Sequence, residues 1–429
     1  MSSADEVPRW TLYPNCGGEE GPDWTRFADF PAVQNCLQLW RWLFPADAHW
    51  LGPITPPTSP WPAAFGPQPM GSAFDWIEKT PGGHAWWKDE DAEAVFRNQS
   101  IQSIGPRAEI VRTVHDKAFA TETARRLGFE AKPLKGTTAV LDPARLENPA
   151  EARQWIQHHV SHWPSWISQF TLKPRLGSSG RGRTGGRREA LDHQAIENAW
   201  PRLAQRGGAI LEPWVDRIHD LSVALHLAPL DTVDGPAVTL LGSLEAITLP
   251  SGVPIGHCGE IDSRGRVFSG TPFDEDIREA AVALGQAAQA SGYSGPCGVD
   301  ALTFRAPGLD ETPREWLRPV VEFNARYTLG LIAVGLVRRL LGWLKATLAL
   351  APGERISFFI GLQPPSAHTQ WVEAARTSQG DVVGIELGTP ALQRVDGGPG
   401  AFFARDRPTL MALLEDAHPN DPGSADLSG

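Results

Sequence analysis

The most informative part of this sequence is Phe170-Thr-Leu-Lys-Pro-Arg-Leu-Gly-Ser-Ser-Gly-Arg-Gly-Arg-Thr-Gly-Gly186. A short apolar run, typical of a strand, leads here into a basic glycine loop, although the whole chain has a net charge of −11. The cations in and beside the loop are Lys173, Arg175, Arg181, Arg183, Arg187 and Arg188. Glycine residues let backbone amides approach phosphate oxygens, and nearby cations neutralise the phosphate charge. The stretch therefore predicts a site for the phosphates of a nucleotide.

The loop also matches G-x-G-x-x-G through Gly180, Gly182 and Gly185, a pattern of dinucleotide-binding proteins and protein kinases. A dinucleotide fingerprint leads directly into an apolar helix, which Arg187-Arg188-Glu189 does not begin. In protein kinases the lysine follows the loop, whereas Lys173 precedes it. No Lys-Ser or Lys-Thr pair follows a suitable glycine, so the P-loop pattern is absent too. The alternative is a basic surface linker.

A second cluster lies downstream, where residues 295–304 and 319–326 are predicted to form strands. Because side chains alternate along a strand, the polar residues of the second run share one face. These residues are Glu322, Asn324 and Arg326. Together with Asp300 of the first run, Glu322 and Asn324 supply the oxygen ligands that Mg²⁺ prefers. The alternative is an edge strand whose polar residues face solvent.

Residues 209–227 are predicted to form a strand, a short turn and a second strand. Trp214 and Val215 flank the end of the first strand, where apolar side chains and main-chain groups suit an adenine ring. Asp220, on the second strand, is placed to accept hydrogen bonds from ribose hydroxyls. Taken singly, each residue is also compatible with an ordinary surface turn.

In this order, the segments resemble the ATP-grasp superfamily, in particular its carboxylate–amine ligases of the peptide or amino-acid type. The match begins at Ile104-Gly-Pro106 and continues with His115-Asp116-Lys117, which precedes a predicted amphipathic helix ending at Leu127-Gly128. It extends to about Leu341 and covers a little over half of the chain. Each motif alone is weak, whereas five motifs in the right order are fairly specific.

The resemblance implies a role for each matching residue. Lys117 and Lys173 hold the α- and β-phosphates of ATP, and the hairpin from Gly177 to Gly186 closes over the triphosphate. The implied nucleotide-binding residues are Lys117, Lys173, Gly177, Ser178, Ser179, Gly180, Arg181, Gly182, Glu212, Trp214, Val215 and Asp220. The implied metal ligands are Asp300, Glu322 and Asn324, for Mg²⁺ or alternatively Mn²⁺. Arg326, near the transferred phosphoryl group or the acyl substrate, and Lys173 are the implied catalytic residues.

The resemblance also implies an α/β (α+β) fold class and a domain order. Residues 1–105 are expected to form an N-terminal pre-ATP-grasp α/β domain that includes a helix over residues 31–44. Residues 106–350 form the ATP-grasp domain, whose two subdomains are split near residue 207. Residues 351–417 are expected to form a small C-terminal α/β appendage, and residues 418–429 a disordered tail. The apolar run from Leu329 to Leu350 is interrupted by charges, which predicts a buried helix rather than a membrane span.

The expected activity is ATP-dependent formation of an amide or peptide bond through an acyl phosphate. A small-molecule kinase and a non-catalytic ATP-binding scaffold remain alternatives. Gly298 stands where D-Ala–D-Ala ligases carry a substrate-binding arginine, which argues against that activity. The chain has 17 tryptophans, several of them in the N-terminal domain, where they are expected to pack in a core. This unusual domain also favours a role in specialised metabolism.

Composition limits the partners and the compartment. Cys16, Cys36, Cys258 and Cys297 form no C-x-x-C pair, so neither a zinc site nor a disulfide framework is predicted. The N-terminus has no apolar signal segment, and a reducing cytoplasm fits best. The acidic balance disfavours nucleic acid, because the positive charge is concentrated at one loop. The expected partners are a small carboxylate and an amine, with no membrane partner, and a homodimer is left open.

Overall fold

The computed structural model describes residues 10–52, 74–142, 149–177, 181–231, 235–248, 254–308, 310–362, 382–387 and 399–416. Ser178, Ser179 and Gly180 of the predicted glycine loop lie outside these described residues, as does the predicted tail over 418–429.

The N-terminal part is a small parallel sheet with helices. Strand β1 (Trp10–Tyr13) lies between β2 (His49–Trp50) and β3 (Gly82–Ala85). The helices are α1 (Pro31–Arg41), α2 (Asp75–Lys79) and α3 (Glu90–Asn98). Helix α1, which the sequence predicts, begins at Pro31, where the missing N–H costs no helical hydrogen bond.

The tryptophans of this part form a core, as expected from their size. The ring of Trp40 makes edge-to-face contacts with Phe44, Trp50, Trp86 and Tyr327. Since Tyr327 belongs to a much later part of the chain, this core also attaches the N-terminal sheet to the rest of the molecule.

A four-stranded antiparallel sheet, which we call the lid sheet, follows in the chain. In sequence its strands are β4 (Ala139–Leu141), β5 (Gln169–Pro174), β6 (Thr184–Arg187) and β7 (Ala209–Pro213). Their order across the sheet is β4-β7-β5-β6. Helices α6 (Pro149–Ser161) and α7 (His193–Gln205) contribute to the same core. The sequence places the split between the subdomains near residue 207, whereas the lid sheet continues to Pro213 because β7 pairs with both β4 and β5.

The second sheet, which we call the large sheet, has nine described strands in the order β13-β12-β8-β9-β11-β10-β14-β16-β15. Their bounds are β8 (Asp216–Leu227), β9 (Val238–Thr248), β10 (Pro254–Asp262), β11 (Val267–Phe268), β12 (Gly295–Pro307), β13 (Pro313–Asn324), β14 (Arg355–Gly361), β15 (Val382–Glu386) and β16 (Gly400–Ala404). Strand β14 pairs along its whole length with β10, so the described strands of the predicted appendage extend this sheet.

Helices surround the large sheet. They are α4 (Ala108–His115), α5 (Lys117–Leu127), α8 (Asp274–Ala290), α9 (Leu329–Arg339), α10 (Leu341–Thr347) and α11 (Arg407–Asp416). Nearly all of α9 is buried, which confirms the predicted buried helix, and the helix ends at Arg339 before α10 begins. Within the described ranges, no helix is both long and apolar enough for a membrane span.

The lid sheet and the large sheet share one apolar core where their faces meet. Leu302 and Phe304 of β12 are buried in the same cluster as Phe170 and Leu172 of β5. This contact holds the two sheets against each other, and a cleft lined by residues of both sheets lies between them. The mixed helix and sheet architecture confirms the predicted fold class.

Candidate active site

Lys117 is held at the start of α5 by a local set of contacts. Asp116 caps the helix, since its Oδ1 accepts from the backbone N–H of Ala118 at 2.8 Å. Asp116 also pairs with Arg175 at the end of β5, at 3.0 Å from Nε. The Lys117 ammonium then lies 2.7 Å from the carbonyl oxygen of Gly177 and 3.3 Å from Oε2 of Glu322. Lys117 therefore joins the start of the glycine loop to β13.

Lys173 and Glu212 face each other across adjacent strands of the lid sheet. The Lys173 ammonium contacts Oε1 of Glu212, and Nη2 of Arg318 lies 2.8 Å from Oε2. Burial alone would raise the pKa of the Glu212 carboxyl, but Arg318 and Lys173 outweigh it and lower the pKa to about 2. Burial lowers the pKa of the Lys173 ammonium, and Glu212 opposes that effect. Glu212 is therefore a buried, ionised carboxylate.

The predicted metal ligands lie on neighbouring strands. Asp300 of β12 is directly opposite Glu322 of β13, and Gly298 is opposite Asn324. Burial and the adjacent Glu322 raise the pKa of Asp300 above its usual range. Burial acts in the same direction on Glu322, but Lys117 and Lys173 lower its pKa overall. Two partly buried carboxylates on facing positions repel each other, and this donor set fits a hard divalent cation between them.

The side-chain amide of Asn324 presents its nitrogen, and not its oxygen, to this pair of carboxylates. Its Nδ2 donates to Oδ2 of Asp300 at 2.9 Å, and its Oδ1 accepts from Nη2 of Arg326 at 3.3 Å. The guanidinium only donates, which fixes the orientation of the amide. Asn324 would therefore ligate a metal through oxygen only after its amide turns over. Strand β13 ends at Asn324, so the predicted alternation does not continue to Arg326.

Arg326 is surrounded by partners from the protein. Its Nε lies 3.2 Å from Oε1 of Glu19, and its Nη1 donates to the carbonyl oxygen of Tyr327 at 3.0 Å. Glu19 belongs to the short 3-10 helix Gly18–Glu20 of the N-terminal part. With the bond to Asn324, both Nη nitrogens of the guanidinium donate hydrogen bonds, whereas Nε makes only the ion-pair contact with Glu19.

Arg181 of the glycine loop forms an ion pair with Glu20 of the same 3-10 helix. Oε1 of Glu20 contacts Nε of Arg181, and its Oε2 lies 2.9 Å from Nη2 of Arg206. Arg206 is buried beneath the loop, where its Nη1 donates to the Arg181 carbonyl at 3.3 Å. A Cβ added at Gly182, where φ is +80°, would lie 3.1 Å from this nitrogen, so the backbone passes close to Arg206 here.

Trp214, Val215 and Asp220 line one cleft of about 750 Å³ between the two sheets. The guanidinium carbons of Arg183 and Arg217 lie 4.6 and 4.8 Å from the centre of a Trp214 ring. Nη1 of Arg217 also lies 3.0 Å from Oδ1 of Asp220. The residues predicted for adenine and ribose thus share a pocket that has the size of a small-ligand site. A larger cavity of about 1190 Å³ lies beside α8, and no predicted site residue lines it.

Solved structures with a similar architecture include enzymes in complex with adenine nucleotides. Carboxyaminoimidazole ribonucleotide synthase from Aspergillus clavatus, complexed with ATP, is 15% identical and has a TM-score of 0.51, with 96% of this chain and 97% of that chain covered. The biotin carboxylase domain of 2-oxoglutarate carboxylase from Hydrogenobacter thermophilus, with MgADP, ADP and bicarbonate, is 12% identical, with a TM-score of 0.50 and coverage of 96% and 90%. Biotin carboxylase from Campylobacter jejuni, as a β,γ-ATP complex, is 15% identical, with a TM-score of 0.50 and coverage of 97% and 92%.

The chain has the ATP-grasp fold. No protein-family model and no curated protein matches the sequence. At 12 to 15% identity, the likeness to these structures concerns the fold alone. The predicted resemblance to this superfamily is confirmed at that level.

Four residues of the ATP-grasp cleft were missed by the sequence reasoning: Glu19, Glu20, Arg206 and Arg318. Glu19, Glu20 and Arg318 each form an ion pair with a predicted site residue. Arg206 pairs with Glu20 and donates to the carbonyl oxygen of Arg181. A pattern could have found Arg318, which lies four residues before Glu322 and therefore on the same side of a regular strand. Glu19 and Glu20 stand between glycines in a part of the chain with no strand pattern, and nothing local marks them as site residues.

Proposed function

We propose that this protein is an ATP-dependent ligase that joins a carboxylate to an amine through an acyl phosphate. The observation that carries the proposal is the position of the Lys117 ammonium, 2.7 Å from the carbonyl oxygen of Gly177 and 3.3 Å from Glu322. One cation thereby connects the glycine loop, suited to phosphates, to the carboxylates suited to a metal ion. Phosphoryl transfer needs this combination, because it depends mainly on positioning and charge neutralisation.

The nucleotide is expected to lie along the cleft between the two sheets. Trp214, Val215 and Asp220 line the end where adenosine would bind. Lys117 and Lys173 would contact the α- and β-phosphates, and the amides of the glycine loop would enclose the triphosphate. Asp300 and Glu322 would hold Mg²⁺, or Mn²⁺, which neutralises phosphate charge when bound. The three similar solved structures contain adenine nucleotides, which supports this part of the proposal.

The reaction has two steps. An oxygen of the carboxylate substrate attacks the γ-phosphorus, the bond to the β-phosphate oxygen breaks, and ADP leaves. An amine nitrogen then attacks the acyl carbon, inorganic phosphate leaves with the electrons of the C–O bond, and the nitrogen loses a proton. Lys173 would neutralise charge on the phosphates, and Arg326, two residues after the end of β13, would lie near the acyl group. No covalent bond to the enzyme is needed.

The test is nucleotide product analysis with Mg²⁺, ATP, pooled amino acids and small carboxylic acids, with hydroxylamine present. Hydroxylamine converts an acyl phosphate to a stable hydroxamate, whose mass identifies the acid. ADP together with a hydroxamate is the expected result. ADP together with a stable phosphorylated alcohol would replace the ligase with a kinase, and ATP binding without turnover of any pooled acid would favour the scaffold.

A further inference from the structure

Arg318 is a buried cation of the cleft to which neither the motifs nor the proposed reaction gives a role. It lies on β13, and the whole residue is 8% exposed. Its Nη2 is 2.8 Å from Oε2 of Glu212, and its Nε donates to the carbonyl oxygen of Val320 at 3.3 Å. The second bond holds the guanidinium against its own strand, so that its other end points to Glu212.

The pair that Arg318 forms with Glu212 crosses from one sheet to the other. Glu212 belongs to β7 of the lid sheet, and Arg318 belongs to the large sheet. The Lys173 ammonium, from β5 of the lid sheet, contacts the other oxygen of Glu212. Each oxygen of this carboxylate therefore has its own cation, one from each sheet.

The charges of this group do not balance. One carboxylate faces two cations, and all three side chains are largely buried, with exposed fractions of 4% for Glu212, 13% for Lys173 and 10% for Arg318. Removing the partner of a buried charge is costly, because the remaining charge is neither hydrated nor paired. Lys173 can therefore leave Glu212 without this cost if Arg318 stays paired with it, and the reverse also holds.

Of the two cations, Lys173 is the one that can move. Its ammonium is at the end of a flexible four-carbon stem, whereas the guanidinium of Arg318 is planar and is also bonded to Val320. Lys173 also lies close enough to Glu322 for the two charges to interact, on the side of the cleft where phosphates are expected. A shift of Lys173 toward a phosphate would leave the Arg318–Glu212 pair intact.

We propose that Arg318 is a positioning residue for nucleotide binding: it stays paired with Glu212 so that Lys173 can turn to the phosphates. This inference rests on the nucleotide site of the proposed function, but not on the ligase reaction. It predicts that Arg318 acts on phosphate affinity through Lys173 and not by contact with the nucleotide.

The experiment is titration calorimetry of the full chain with Mg-ADP and, separately, with adenosine, which lacks phosphates. The variants are Arg318→Met, which removes the charge, Arg318→Lys, which keeps it, and Glu212→Gln/Arg318→Met, which removes both partners. The matched control is Arg314→Met, on the same strand, whose ion pair with Asp310 is about half exposed.

Arg318→Met should raise the dissociation constant of ADP about tenfold, a change of ~1.4 kcal/mol, and leave adenosine binding unchanged. Without Arg318, Glu212 retains Lys173 as its only counter-charge. Arg318→Lys should keep most of the ADP affinity, and Arg314→Met should match the wild type. Glu212→Gln/Arg318→Met should regain most of the lost ADP affinity, because no buried carboxylate then competes with the phosphates for Lys173. Wild-type ADP affinity in Arg318→Met, an equal loss for adenosine, or no recovery in the double variant would each overturn the proposal.

If Arg318→Met does not fold, Glu212→Gln/Arg318→Met is compared with Glu212→Gln alone. Equal ADP affinities are expected, and a weaker double variant would indicate direct contact of Arg318 with phosphate and overturn the proposal. Calorimetry with ADP needs no turnover. If the wild type binds ADP but forms no hydroxamate, the ligase proposal is contradicted and the role of Arg318 is not. A wild type that does not bind ADP removes the role of Arg318 as well.

Discussion

Glu19 and Arg326 form a buried ion pair that connects the N-terminal part of the chain to the candidate metal site. Oε1 of Glu19 lies 3.2 Å from Nε of Arg326, and their side chains are 2% and 12% exposed. Arg326 donates to Asn324, which in turn donates to Asp300. A carboxylate of the N-terminal 3-10 helix thus influences, through Arg326 and two hydrogen bonds, the orientation of Asn324 and Asp300 in the large sheet.

Glu19→Gln should weaken both the fold and the metal site. The substitution leaves the buried Arg326 without its carboxylate, which should lower the free energy of unfolding by about 3 kcal/mol. Because Arg326 then no longer holds the Asn324 amide, whose nitrogen orients the Asp300 carboxylate, the Mg²⁺ concentration needed for half-maximal activity should rise about tenfold, ~1.4 kcal/mol. Urea denaturation and a Mg²⁺ titration of ADP formation are the measurements.

Glu90→Gln is the matched control for Glu19→Gln. Glu90 pairs at 4.0 Å with Arg112, and both side chains are more than half exposed. Such a surface pair contributes at most about 1 kcal/mol to stability. A Glu19→Gln protein that loses stability but keeps the wild-type Mg²⁺ requirement would mean that Glu19 serves the fold alone.

Glu20 should determine how easily the glycine loop is cut by protease. Its carboxylate contacts Arg181 of the loop and lies 2.9 Å from Arg206 beneath it. Glu20→Gln removes this charge, so trypsin should cleave after Arg181 and Arg183 several-fold faster, as followed by mass spectrometry of the fragments. Arg206→Gln should have the same effect, and the double variant should add little to it, because both changes break one set of contacts. Equal cleavage rates in Glu20→Gln and the wild type would show that the contact does not hold the loop.

The sequence predicts those parts of the site in which a local pattern places the residue. Lys117 follows a helix-capping aspartate, and Asp300 and Glu322 lie on strands whose alternation is visible in the residues. Lys117, Glu322 and Asp300 are close together in the structure. Lys173 and Glu212, likewise on recognisable strands, are in contact.

The remaining contacts could not be predicted, because they join residues that are far apart in the chain. Glu20 and Arg206 are separated by 186 positions, and Glu212 and Arg318 by 106. Which carboxylate pairs with which arginine depends on how the N-terminal part, the lid sheet and the large sheet pack, and residue patterns within one strand contain no information about that packing. The orientation of Asn324 was missed for the same reason, since Arg326 is itself positioned by Glu19.

Lys173→Ala and Glu322→Ala should each reduce turnover by about 100- to 1000-fold, the loss typical of removing a group that stabilises transition-state charge. The fold should survive, because neither side chain belongs to the apolar core that the lid sheet and the large sheet share. Steady-state kinetics and circular dichroism are the measurements, and Lys345→Ala, an exposed lysine of α10, is the control. A rate near that of the wild type in either variant would remove that residue from the site. Asn324→Asp is less informative, since aspartate also ligates metal.

His84 is a buried neutral imidazole whose environment disfavours protonation. Its Nε2 lies 2.9 Å from the carbonyl oxygen of Thr80, which can only accept, so Nε2 carries the proton. Its Nδ1 lies 3.1 Å from the hydroxyl of Tyr327 and accepts from it. Burial lowers the pKa of His84 from 6.5 to about 4. Below pH 6.5 the unfolded chain therefore binds more protons at this residue than the folded chain does.

It follows that the stability contributed by neutral His84 is complete above about pH 6.5 and is lost as the pH falls from there toward 4. For one such group, the free energy of unfolding should decrease by about 2 kcal/mol between pH 7 and pH 5. His226 and His257, whose pKa values burial also lowers to about 4, should add to the decrease. His84→Gln keeps a donor and an acceptor but does not titrate, so urea denaturation should show a pH dependence smaller by that amount. The exposed His49→Gln is the control, and an unchanged pH dependence in His84→Gln would mean that folding does not lower the pKa of His84.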